Sequence, residues 1–131
     1  MIGLDTNVLT RFLLQDDPQQ SPRADRVMSS LTVEDPGWVG VATILELVWV
    51  LSSKNRFDRK TIAKTLDRLL FQEEIVIEQD SVLQSAVRQF RSGSADFADC
   101  LIANSARTAG CSSTLTFDRK AARDAGMELL A

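Results

Sequence analysis

The chain has no histidine in its 131 residues. That absence removes Ser-His-Asp and Cys-His nucleophilic systems, histidine general acid/base catalysis and histidine-containing zinc sites together. Cysteine is scarce: Cys100 and Cys111 are the two present, with no CxxC pair, so no disulfide framework is indicated and buried thiols are expected. A long hydrophobic run is also missing. The most apolar stretch, Val39 to Leu51, is interrupted by Thr43 and Glu46 and is too short to cross a bilayer. The opening MIGLDTN lacks the basic and then greasy pattern of a signal peptide, so a cytoplasmic protein without membrane contact is expected. Nor is there an excess of positive charge, since the formal net charge of −3 offers no global attraction to nucleic acid. Any chemistry must come from carboxylates, hydroxyls, amides, thiols or bases.

What is present is a chain with 44% hydrophobic and 25% charged side chains, which fits a single globular domain over residues 1–131. Short apolar runs alternate with helical periodicity. IGLD, Trp38 to Val41, Ile75 to Glu78 and Ser113 to Phe117 read as strands, with Met127 to Leu130 as an edge strand. Helices are predicted from about Val8, from Pro22 to Ser30, from Thr43 through TILELVWVLSS, over 58–71, over 81–91, over 96–109 and over 119–124. Thr43 and Asp80 are expected caps, and Gly110 an expected stop. This alternation predicts an α/β protein, a three-layer α/β/α sandwich around a short, mainly parallel sheet.

In such sheets ligands bind at the carboxyl ends of the strands, and Asp5 and Asp118 each follow an apolar strand. Either alone reads equally well as a helix cap. Glu46 is set among Ala42, Thr43, Leu45, Leu47, Trp49 and Val50, so burial is expected, and an ionised carboxylate there would need a base, a proton or a cation. Asp96 and Asp99 lie three apart at the start of a helix, where Asp96 suits a cap and Asp99 a metal ligand. Carboxylates gathered at one sheet edge repel unless protonated or bridged, and their hard oxygens suit Mg²⁺ or Mn²⁺. Such a cation lowers the pKa of a bound water and holds a phosphodiester oxygen, which replaces the missing histidine. Phosphatases and phosphoacceptor domains use acidic clusters too.

Four segments in this order, IGLDTNVL, ATILELVWVL, ADFADCLIA and TLTFDRKAAR, together resemble the PIN domain, and in particular the VapC-type toxins of bacterial toxin-antitoxin pairs, over residues 2 to about 123. The resemblance implies that Asp5, Glu46, Asp99 and Asp118 are the acidic catalytic and metal-site residues, with Asn7 and Thr116 as assisting polar positions. It further implies an Mg²⁺- or Mn²⁺-dependent endoribonuclease leaving a 5′-phosphate and a 3′-hydroxyl, homodimeric and silenced by a small antitoxin protein. Asp96 is a secondary candidate, because ADFADC offers two aspartates.

RNA contacts are expected from Arg11, Lys54, Arg56, Arg119 and Lys120. Two other readings compete: a PIN-like binding module that has lost catalysis, and a Mg²⁺-dependent phosphoacceptor or phosphohydrolase domain. The last wants an acid adjacent to, or two residues after, Asp5, where Thr6 and Asn7 stand. Cys100 reads as core rather than nucleophile, and Trp38 and Trp49 read as packing. The apolar set Val8, Leu9, Phe12, Leu13 and Leu14 reads chiefly as core, with contact to a second subunit or an antitoxin peptide as the alternative.

Overall fold

The computed structural model describes residues 1–130, which form two compact units. The first comprises Met1–Phe57 and Arg68–Glu78, and the second comprises Asp58–Asp67 and the chain from Gln79 onward.

In the first unit, β1 (Ile2–Gly3), β2 (Gly37–Val39) and β3 (Ile75–Ile77) pair in parallel in that order, with Ile2 opposite Gly37 and Val39 opposite Ile77. Buried Ile75, Ile77 and Val39 alternate with exposed Val76 and Trp38, as the period of two along a strand requires. Gly37 has a steric reason to lack a side chain: a Cβ there would stand 2.7 Å from Leu4 Cδ1 and 3.0 Å from Leu31 Cδ1. Helix α1 (Thr6–Leu14) packs against α2 (Gln20–Ser30) and α3 (Val41–Trp49). Leu9, Val39, Ile44, Leu47 and Leu51 are fully buried. Of the apolar set on α1, Leu9 alone is in the core, while Val8, Phe12, Leu13 and Leu14 are half-buried.

Helix α3 starts earlier than the sequence suggests. Its N-cap is Gly40 rather than Thr43, and the Val41 N–H donates to Glu78 Oε1 at 2.9 Å, so a carboxylate distant in sequence fills the capping role. The helix is not buried all round either. Ala42, Leu45, Glu46 and Trp49 recur at helical spacing and all are exposed, while Ile44, Leu47 and Val48 face the core. A π-helical turn, Val50–Lys54, continues it, with the Asn55 N–H donating to the Val50 carbonyl at 3.2 Å.

Helix α4 (Arg59–Phe71) supplies residues to both units. In the second unit, α5 (Asp80–Ser92) packs on α6 (Phe97–Thr108), and the Phe90 and Phe97 rings meet edge to face with centroids 5.5 Å apart. Asp80 opens α5 but does not cap it. Gln79, in the left-handed region at φ 54°, holds the N-cap position. Strands β4 (Leu115–Thr116) and β5 (Glu128–Leu129) pair in parallel, with α7 (Arg119–Ala125) connecting them. Gly110 ends α6 with φ 97°, a conformation that favours glycine.

The α/β class and the parallel pairing of every ladder are as expected, with the strands divided between a three-stranded and a two-stranded ladder. Cys100 is buried as expected, and burial pushes its thiol pKa up. Cys111 is exposed, contrary to expectation, because it follows the Gly110 break instead of lying on a helix face. No helix among the described residues is long and apolar enough to cross a membrane.

Candidate functional site

In the first unit a cavity of about 480 Å³ opens beside the carboxyl end of β1, lined by Asp5, Thr6, Asn7, Arg11, Glu46, Trp49 and Lys54 among others. The local sequence explains how it forms. Leu4 is anchored in the core and its N–H donates to the Trp38 carbonyl at 2.9 Å. The chain then turns into α1, placing Asp5, Thr6 and Asn7 at the strand-to-helix corner.

Asp5 occupies the N-cap of α1, yet its side chain accepts only from the N–H of the adjacent Thr6, at 2.7 Å, rather than from the second or third helical residue. Capping therefore accounts for little of this carboxylate. Asn7 is exposed at the cavity, and its carbonyl accepts from Thr10 Oγ1. Thr6 is 5% exposed and its Oγ1 is buried without a hydrogen-bond partner in the protein, a condition few native polar groups show.

Glu46 lines the same cavity but is exposed, which corrects the expectation of a buried acid. The apolar residues around it divide between two faces, and Ala42, Leu45 and Trp49 share its outward face. The desolvation argument for a partner thus does not apply. What the structure does show is that Asp5 and Glu46, from two elements far apart in sequence, border one opening.

In the second unit the acids are more closely engaged. Asp118 is the N-cap of α7, and its Oδ1 accepts from the N–H groups of Lys120, at 2.8 Å, and Ala121, at 3.3 Å. The Asp118 N–H in turn donates to Thr116 Oγ1 at 3.0 Å, so Thr116 fixes the corner that presents the aspartate. Asp96 sits at the N-cap of α6 but makes no capping bond, contrary to the role favoured for it. Its carboxylate is exposed and pairs instead with Lys120 Nζ at 3.0 Å, the full positive charge of the ammonium taking the place of the backbone N–H groups. Asp99 is half-buried in the first turn of α6. Burial raises its carboxyl pKa above the usual range, the like charges of Asp96 and Asp118 raise it further, and Lys120 opposes them.

Of the basic candidates, Arg11 is occupied: its Nε donates to Gln20 Oε1 at 2.7 Å, and Asp16 and Asp17 each stand 3.7 Å from its guanidinium. Lys120 is paired to Asp96. Arg56, at φ 55°, and Arg119 are exposed. Lys54 lies over the Trp49 ring, 5.7 Å from its centroid. Sequence reasoning missed Thr6 and Trp49 at the cavity. Thr6 carried a signal in its place between two candidate residues, whereas Trp49, one helical turn after Glu46, was assigned to packing although it is 57% exposed.

It missed Arg59 as well. This guanidinium donates to the Gly93 carbonyl at 3.0 Å and the Ala95 carbonyl at 2.8 Å while lying 4.1 Å from the Phe90 ring centroid, and so fixes the backbone leading into Asp96 and Asp99.

Within neither unit do three acidic or thiol side chains among the described residues form a set that could by itself hold a metal ion. The donors lining the first cavity nonetheless suit a hard cation: the carboxylates of Asp5, Asp16 and Glu46 and the amide oxygens of Asn7 and Asn55, with no soft ligand among them.

Residues 2–126 match the PIN domain model, so this chain belongs to the PIN domain family. Domains of this family are in general nucleases that act on nucleic acid with divalent metal ions, and the α/β fold with short parallel sheets is PIN-like. No curated protein matches the chain.

Proposed function

We propose that the chain is a metal-dependent endoribonuclease, the toxin of a type II toxin-antitoxin pair of VapC type, working as one domain over residues 1–131. The observation that carries the nuclease part is the cavity at which Asp5, Asn7 and Glu46 meet beside the unpartnered Thr6 hydroxyl, in a chain whose family is PIN. The toxin part rests on the resemblance of the four segments. By the same resemblance Asp99 and Asp118 belong to the functional set with Asp5 and Glu46, assisted by Asn7 and Thr116, and Asp96 stands outside it.

Mg²⁺ or Mn²⁺ is the proposed cofactor, held by the carboxylates. When bound it supplies a water of lowered pKa and charge neutralisation at the phosphodiester. The chain's own part is to hold the acids in place. Asp5 is fixed by the Thr6 N–H, and Asp118 by the first turn of α7 and by Thr116. Asn7, with both donor and acceptor atoms at the opening, suits orientation of a phosphate or an attacking water. A cytoplasmic location, a homodimer and a small antitoxin protein complete the reading.

The test is to free the protein of any partner and incubate it with total cellular RNA, with Mg²⁺, with Mn²⁺ and with chelator, beside Asp5→Asn. Cleavage that needs metal and is lost in the variant is expected. Equal cleavage by both proteins would remove the site, and no cleavage by the wild type in any metal would leave a binding module in place of an enzyme.

A further inference from the structure

Trp49 combines three properties that packing does not explain. It is 57% exposed, it lines the cavity shared by Asp5 and Glu46, and a cation lies over its ring. The π-helical turn produces the last of these. Residues five apart on an α-helix point about 140° away from each other. An i to i+5 turn brings them nearly into line. Lys54 follows Trp49 by five residues and reaches to 5.7 Å from the indole centroid, so the widened turn gathers an aromatic face and a positive charge at the rim of an acidic opening.

Resting on the nuclease reading above, we propose that Trp49 is a stacking platform for an unpaired base of single-stranded RNA and that Lys54 meets the phosphate next to that base. An indole face accepts any base, because every base has a π-face, and it reads no sequence. The chain needs such an anchor. With a net charge of −3, with Arg11 and Lys120 occupied by acidic neighbours and with three carboxylates bordering the opening, diffuse electrostatics hold a polyanion only weakly there. Stacking is insensitive to that charge. A base placed on Trp49 sets its adjoining backbone at the cavity mouth, so Trp49 and Lys54 are positioning residues that govern which part of a strand reaches the acids. The stack requires an unpaired base, which predicts preference for single strands over duplexes.

The test uses Trp38→Phe, which leaves Trp49 as the single indole. Its fluorescence is followed on titration with an oligoadenylate of about ten nucleotides, within the usual span of single-strand sites, in chelator and again with Mg²⁺ in an added Asp5→Asn background. Saturable quenching is expected in at least one of these conditions. By anisotropy of the labelled strand, Trp49→Ala should weaken binding about tenfold, and Trp49→Phe, which keeps a smaller ring, about threefold. In cleavage assays Trp49→Ala should raise KM and leave kcat within about twofold, the signature of weakened uniform binding.

An indole that is never quenched, equal binding by Trp49→Ala, or equal quenching by a fully paired duplex would each overturn the proposal. Quenching by an apolar helical peptide but not by RNA would also overturn it, assigning this face to a protein partner. The two readings fail separately. Quenching without any cleavage removes the nuclease and keeps the platform, while cleavage with an unchanged KM in Trp49→Ala removes the platform and keeps the nuclease.

Discussion

The acids of the first unit and those of the second are held in opposite ways. Asp5 accepts one short bond from its neighbour, and Glu46 stands exposed at a cavity with no hydrogen bond or ion pair among the described residues. Asp118 is committed to two backbone N–H groups and Asp96 to Lys120, while Asp99 is half-buried with its pKa raised by burial and then by like charge. The first pair costs the fold little and is available to a ligand. The second group is bonded to or buried in its surroundings, so removing the bonds or the charge of one of its members alters stability as well as function. Activity and stability measurements on the same variants therefore separate the two regions.

The largest expected effect is on the first pair. Asp5→Asn and Glu46→Gln should each lower metal-dependent RNA cleavage by about a hundredfold or more. Their melting temperatures should stay within a degree or two of wild type, since an exposed surface change typically costs within about 0.5 kcal/mol. Differential scanning fluorimetry beside the cleavage assay decides it. A large loss of stability in Glu46→Gln would mean that this carboxylate is structural after all and would undo the contrast.

Arg59 tests the second region through its scaffold. Its bonds to the Gly93 and Ala95 carbonyls and its place over Phe90 are made by one planar fork. Arg59→Ala should cost about 2 kcal/mol in urea unfolding, because it removes two charge-assisted bonds and a cation–π interaction at once. Arg59→Lys should recover less than half, because an ammonium cannot serve both carbonyls and the ring. Full recovery by lysine would show that charge alone matters there.

Asp118 separates the roles that one carboxylate combines. Asp118→Ala removes the α7 cap and should cost about 1 kcal/mol. Asp118→Asn keeps an oxygen for the Lys120 and Ala121 N–H groups and should leave stability nearly unchanged while still losing cleavage. If the asparagine variant cleaves normally, Asp118 is a cap and nothing more.

These contrasts mark how far the sequence could be read. The order of strands and helices follows from apolar period and from Gly, Pro and Asp punctuation, and the positions of Asp5 and Asp118 at strand-to-helix corners follow with it. Glu46 was found for a reason that does not hold. In an apolar helix, residue type does not say which apolar side chains face solvent, and Ala42, Leu45 and Trp49 do. The same ambiguity hid Trp49. The start of α3 was illegible because Glu78, which meets the Val41 N–H, arrives from beyond another helix. Arg59 was illegible for a similar reason: its partners at 93 and 95 are met only once α4 and α5 are folded.

The smallest expected effect lies outside both groups of acids, and it shows what a purely structural carboxylate in this chain does. Asp17 accepts from the N–H groups of Gln19 and Gln20, at 2.9 and 2.8 Å, and stands near Arg11. The Gln20 bond first, then the Gln19 bond, hold its carboxyl pKa below the ordinary value of 3.8, and Arg11 adds to them. A depressed folded pKa means that the stabilisation is present above the unfolded value and is lost as pH falls through the folded one. Wild type should therefore lose melting temperature more steeply than Asp17→Asn below about pH 4, with the two curves parallel above about pH 5. Asp99, raised where Asp17 is lowered, bends stability in the opposite direction, so Asp99→Asn should gain melting temperature at neutral pH while it loses cleavage. A gain in Asp17→Asn at neutral pH, or a loss in Asp99→Asn, would reverse the assignment of structural and functional acids.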